Sequence, residues 1–315
     1  MDKDGFIKYL EGKNFAKSTI NGGVIRPVER FFEWIQKEDI QVTKPDVLRY
    51  LEYLKNNSTA QNITRQKYLI NLNHYFTFLY QTGQITTNPC ALLKMRGTQK
   101  KHLYRIYTPE ELDTLFDNYY QLFVRNYDES HISDRLRQYA NLCRHRNTLI
   151  LNILVNQGTH TSEIDKIEMD DLDLVKATLK IRSSRKGKER ILPLKASQIG
   201  LFMHYLQHIR PQLQEYHTAE TNKLFLSLPA ISKKTTAKEE LNFVFKPLAK
   251  SVRSIDKQFV CFYQVRASVI TYWIKTLGLR KAQYLAGHRY ICCTERYISN
   301  NLDGLTEDIN KLHPF

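Results

Sequence analysis

At 315 residues the chain exceeds one ordinary domain and fits two. Apolar residues make up 42%, enough for packed cores, and 12 glycines with 9 prolines exclude a low-complexity chain. A formal charge of +15 points to a polyanionic partner, nucleic acid first, and since no run of five like charges occurs the basicity belongs to folded segments rather than to a tail.

The N-terminus, MDKDGFIKYLEGKNF, is polar and lacks the apolar core of a signal segment. Phe6, Ile7 and Leu10 recur at helical spacing, as do Ile25, Val28, Phe31, Phe32 and Ile35 in a longer stretch beginning after Lys17-Ser18-Thr19. Thr43-Lys44-Pro45-Asp46 is a helix start, with a capping hydroxyl, a proline and an acid in the first turn. Val47, Leu48, Leu51 and Leu54 share one face, Asn57-Ser58-Thr59 breaks the pattern, and Tyr68, Leu69, Leu72, Tyr75, Phe76 and Leu79 predict a further helix. The sum is a four-helix unit over residues 1–97, with Arg65 and Lys67 on a polar flank.

A basic linker follows over residues 98–107. No acid occurs from Gly83 through Tyr107, while Lys94, Arg96, Lys100 and Lys101 do, which suits a connector that tracks a phosphate backbone. Thr108-Pro109-Glu110-Glu111 restarts helix with a capping-box pattern and opens a second domain over 108–315. Leu149, Ile150, Ile153 and Leu154 lie on one helix ending near Gly158. In TLKIRSSRKGKERILPL, residues 178–194, two apolar stretches flank a basic turn and predict a β-hairpin. Helix returns over Ser197 to Gln214 and again after Cys261.

Five cysteines without a CxxC pair suggest free thiols in a reducing cytoplasm and no zinc module. No apolar run approaches the roughly 20 residues that span a bilayer, so no membrane partner is expected.

The segment from Arg266 through Leu285-Ala286-Gly287-His288 to Thr294-Glu295-Arg296-Tyr297, with nine residues from His288 to Tyr297, resembles the C-terminal signature of the tyrosine recombinases, the phage-integrase family. Upstream, Gly158-Thr159-His160-Thr161-Ser162-Glu163 lies where that family has Gly-x-Arg-x-Ser-Glu. Lys186-Gly187-Lys188-Glu189-Arg190-Ile191-Leu192-Pro193-Leu194 resembles its basic turn and closing strand, and Asn88-Pro89 its linker. The resemblance implies a mainly helical two-domain clamp on duplex DNA, with a small β-hairpin in the catalytic domain. It also implies strand cleavage and rejoining through a 3′-phosphotyrosyl intermediate, without metal or cofactor. A homo-tetramer on two DNA sites is implied, its C-terminal tails exchanged between subunits through Leu305, Ile309 and Leu312. Integration or excision of a mobile element is the expected role, with chromosome dimer resolution and DNA inversion as alternatives. The simple layout carries no additional arm-binding domain.

A tyrosine hydroxyl suits this chemistry because it keeps the phosphate covalently, while fixed cations stabilise the charge gathered on the phosphate oxygens. Carried over, the resemblance makes Tyr297 the nucleophile, Arg266 the phosphate fork, His288 a hydrogen-bond donor to phosphate and Glu163 an orienting acid. Lys186 on the hairpin is the general acid, although an ungapped count places Arg185 there and Lys188 is also within the turn. Two positions depart from the pattern. His160 replaces an arginine, and Tyr263 replaces a histidine but keeps a hydroxyl able to donate to phosphate. The missing charge is expected from Arg182 or Arg185, or from protonated His160; failing these, the chain is a non-catalytic DNA-binding protein on a recombinase scaffold. A type IB topoisomerase shares the same chemistry.

Overall fold

The structure is a computed structural model that describes residues 1–17, 19–95, 104–184, 187–217, 220–227 and 241–298. Two compact units divide between His102 and Leu103. Among the described residues no helix is long and apolar enough to cross a membrane.

The first unit holds helices α1 (Lys3–Gly12), α2 (Arg26–Ile35), α3 (Lys44–Asn57) and α4 (Asn62–Gln81), α2 being extended backwards by a π-helical stretch over Thr19–Ile25. The apolar positions read from the sequence do the packing: Phe6, Leu10, Val28, Phe31, Val47, Leu72, Tyr75, Phe76 and Leu79 are all fully buried. Aromatic edges lock the helices together, Phe6 against Tyr75 and Phe31 against Tyr50, each pair with ring centroids 5.0 Å apart. At the start of α3 the acid does the capping. Asp46, fully buried, accepts from the Thr43 backbone N–H at 2.9 Å and from its hydroxyl at 2.7 Å.

The second unit opens with α5 (Pro109–Tyr120), whose capping box is formed as read: Glu111 N–H donates to the Thr108 hydroxyl and Thr108 N–H to the Glu111 carboxylate. The 24-residue α6 (Asp134–Gln157) ends at Gly158, and α7 (Thr161–Ile164) follows. The expected hairpin is β2 (Thr178–Ile181) with β3 (Arg190–Pro193), antiparallel, Leu179 opposite Leu192 and Ile181 opposite Arg190. It is not alone. A third strand, β1 (Leu172–Asp173), pairs on the far edge of β2; two residues are too short for an alternation to show in the sequence. Next come α8 (Ala196–His204), a π-helical stretch over Tyr205–Ile209, α9 (Arg210–Gln214), α10 (Asn242–Ile255), α11 (Phe262–Leu277), α12 (Leu279–Ala286) and α13 (Ile291–Glu295).

Helix α11 positions the site. Every residue from Gln264 through Thr271 is buried, so it runs through the unit rather than over it. Its polar groups are satisfied inside: Ser268 accepts from the Tyr107 N–H at 2.9 Å and Gln264 donates to the Arg105 carbonyl at 3.1 Å. A residue on this helix is therefore held without slack.

Candidate active site

The site begins where α6 stops. Gly158 takes a left-handed conformation (φ 53°), and a Cβ there would lie 2.8 Å from Val269, so glycine both ends the helix and lets it rest on α11. The turned-out Gly158 carbonyl accepts from Arg266 at 2.5 Å. His160 then caps α7. Its Nδ1 accepts from the Ser162 N–H at 3.2 Å, while its own N–H donates to Glu163 at 2.8 Å.

Arg266, 6% exposed, holds the site together. Its guanidinium donates to the carbonyls of Gly158 and Ala286, approaches Glu163 at 3.7 Å and reaches His288 Nε2 at 3.3 Å. A guanidinium only donates, so Nε2 of His288 accepts, and the ring proton sits on Nδ1, facing the Thr294 hydroxyl at 2.9 Å. In this arrangement the Nε2 lone pair is turned onto Arg266. Burial, with Arg266 and Arg190 alongside, pushes the His288 imidazole down to about 4, so the ring is neutral.

Tyr297 is 5% exposed and stacks on His288, ring centroids 5.7 Å apart and planes within 11°. It packs with Ala267, Ile270 and Ala286, and its ring centroid lies 6.1 Å from that of Tyr263. Burial raises the phenol well above its ordinary range, the bond to Tyr263 raises it further, and Arg266 opposes both. Tyr263, 46% exposed, forms the outer face of the pair. The structure thus brings Arg266, His288, Tyr297, Tyr263 and Glu163 together, with His160 on the rim.

The hairpin contributes a residue the sequence reading did not single out. Arg190 has a fully buried side chain and grips Glu163 with two bonds, 2.8 and 2.9 Å. Burial alone would push the Glu163 carboxyl up, but Arg190, Arg266 and the His160 N–H outweigh it and hold it below the ordinary range. Gly287 makes room. Its φ is 69°, and a Cβ would sit 2.4 Å from Arg190 Nη1. The signal was present in the strand period, since Arg190 alternates in phase with buried Leu192 while Ile191 is exposed. The hairpin is further tied to this box by the Lys188 N–H, which donates to the Gly287 carbonyl at 2.8 Å.

Arg182 does not reach the site. It pairs with Asp171 at 2.9 Å and Glu168 at 2.6 Å, so its expected role as the replacement charge is corrected. Arg185, Lys186, Arg96, Lys100, Lys101 and the tail positions Leu305, Ile309 and Leu312 lie outside the described residues. Arg65 bonds Asn62 on its own helix, and Lys67 and Lys94 are exposed. A cavity of about 380 Å³ opens in front of Arg266, lined also by Thr159, His160, Thr161, Phe245, Lys246, Cys261, Phe262 and Tyr263. Its donors are cationic or neutral and among the described residues no carboxylate lines it, a lining suited to an anion.

The model of the phage integrase family matches residues 129–303, more than half of the chain. Tyrosine recombinase XerC of Oceanobacillus iheyensis is 25% identical over 99% of this chain and 95% of its own length. Tyrosine recombinase XerD of Staphylococcus saprophyticus is 21% identical over 98% and 97%. Among solved structures, the XerH site-specific recombinase in a post-cleavage complex with palindromic difH substrate superposes with a TM-score of 0.67, at 18% identity over 98% of this chain and 84% of that one. A lambda integrase dimer bound to a COC' core site gives 0.58, at 15% identity over 95% and 94%. The fold is shared with these DNA complexes, and the family model spans the ordered boxes: the chain belongs to the phage integrase family and is a tyrosine recombinase.

Proposed function

We propose that the chain cleaves duplex DNA at specific sites through Tyr297 and rejoins the strands in a new pairing. The observation that carries this is the convergence of Arg266, His288, Tyr263 and Tyr297, with Glu163 behind them, beside an anion-suited cavity.

In the first step the Tyr297 oxygen attacks phosphorus, forming a 3′-phosphotyrosyl bond as the 5′ oxygen departs with a proton. In the second a free 5′ hydroxyl attacks that bond, releases Tyr297 and restores the phosphodiester, so no outside energy is consumed. Arg266 meets the charge on the non-bridging oxygens. Half-exposed Tyr263 lies beside Tyr297 and would pass the phenol proton to solvent. Lys186 protonates the leaving oxygen in this scheme, supported by the family pattern of its turn.

Residues 1–97 and 108–315 would both bind the duplex as a clamp, joined by the basic linker. A tetramer on two sites is supported by neighbours solved as DNA-bound dimers and as a tetramer on a Holliday junction, and exchange of the C-terminal tails would join its subunits. Integration or excision of a mobile element is the proposed role, and the family model and the TnP I resolvase relative support it. The test is covalent capture. A target duplex is selected from a random library by the Tyr297→Phe protein, nicked next to the cleavage point and offered to the wild type. A denaturation-resistant adduct is expected; its absence would remove the catalytic reading.

A further inference from the structure

Cleavage at this cavity, as just proposed, leaves one charge unaccounted for. The phosphate gathers negative charge on two non-bridging oxygens, and Arg266 is the one guanidinium lining the cavity among the described residues. His160 offers no fork, and its Nδ1 is turned back to cap α7. Arg182 is held by two carboxylates, and Arg190 is sealed behind Glu163 with no exposed surface.

Lys246 is placed differently. It lines the same cavity as His160, Tyr263 and Arg266, is exposed, and among the described residues has no carboxylate or carbonyl partner. Its helix, α10, is anchored on both sides of the cavity. The Leu241 N–H at its start donates to Asp165, just past α7, at 3.0 Å. Phe245 packs edge-on against Phe262 at the start of α11, ring centroids 6.3 Å apart. Val244, Leu248 and Val252 are buried in the core, which leaves Lys246 on the outer face. Its position relative to His160 and Arg266 is therefore fixed by packing, while its four-carbon stem gives the ammonium reach.

We propose that Lys246 supplies the second positive charge on the scissile phosphate, in the place where His160 leaves a gap. It acts as a point charge with three donors and takes no part in proton transfer. Being exposed, with no carboxylate or carbonyl partner among the described residues, it gives up none of these contacts when it turns to the phosphate.

The experiment uses the full chain and the library-selected nicked duplex. With Lys246→Ala, adduct formation should slow about 100- to 1000-fold, the range for removing one preorganised donor. Affinity for the duplex should change little, Lys246→Arg should restore most of the rate, and His160→Ala should cost less than tenfold. On a duplex with an uncharged methylphosphonate at the scissile position, wild type and Lys246→Ala should react within a few-fold of each other, because the charge Lys246 meets is gone. Wild-type cleavage rates for Lys246→Ala, or an equal loss on both duplexes, would overturn the assignment; the second result would place Lys246 on a neighbouring phosphate. No adduct from the wild type would instead overturn the catalytic reading, and this assignment with it.

Discussion

Replacing Arg190 by methionine tests the buried pair beneath the site. The variant keeps an unbranched apolar stem, shorter than that of arginine, and deletes both bonds to Glu163, 2.8 and 2.9 Å. The two side chains are 0% and 11% exposed, so water screens the pair little. Removing one partner of a buried ion pair costs about 3–5 kcal/mol. Glu163 retains the His160 N–H and Arg266 at 3.7 Å, which places the expected loss near the lower end, about 3 kcal/mol. The pH dependence has a definite sign. The Glu163 carboxyl lies below its ordinary value of 4.5 in the folded state, so its stabilisation is complete above that value and is lost as pH falls through the folded one. In Arg190→Met this stabilisation is already missing at neutral pH. Urea unfolding should therefore show the widest gap between wild type and variant at pH 7, closing on acidification. A gap under about 1 kcal/mol at pH 7, or one unchanged at acid pH, would refute the reasoning. So would strict additivity of Arg190→Met and Glu163→Leu in the double variant, since contacting residues couple.

Gly287→Ala should destabilise by at least about 1 kcal/mol from its φ of 69° alone, and more because the new Cβ meets Arg190; calorimetric Tm reads this, and an unchanged Tm would refute it. His288 should titrate near pH 4 by NMR in the free protein. Because its folded value lies below the unfolded one, the stability it contributes is full above about pH 6.5 and lost as pH falls toward 4, so His288→Gln should flatten that window. A titration near 6.5 would contradict its burial against Arg266. DNA affinity should fall steeply with salt, and Lys94→Ala should reduce the slope of log K against log salt by about one and weaken all sequences alike; a salt-independent affinity would remove the basic linker from the interface.

The candidate constellation was legible because it is written as spacing. Glycine ends α6 in front of Glu163, and the nine residues from His288 to Tyr297 cover one short helix and its turns. The helices were legible because apolar period and caps agree, as at Thr108 and Glu111. Pairings distant in the chain were not. Arg190 and Glu163 are 27 residues apart, and nothing local distinguishes a buried arginine from the solvated cations around it except its phase with Leu192. Arg182 looked free in the same basic turn, yet Glu168 and Asp171 claim it from the preceding loop. Lys246 lies after a stretch with no family box, and only packing on α7 and α11 carries it to the cavity. The direction of the His288 hydrogen bond depends on Arg266, which spacing places nearby but does not orient.

Mapping the covalent protein–DNA complex by mass spectrometry tests the nucleophile itself. Two tyrosines lie side by side, ring centroids 6.1 Å apart, one buried and one 46% exposed. After cleavage of the selected duplex, nuclease trimming and proteolysis, the mechanism predicts a nucleotide on the peptide containing Tyr297 and none on the peptide containing Tyr263. A nucleotide on Tyr263, or an adduct that persists in Tyr297→Phe, would contradict it.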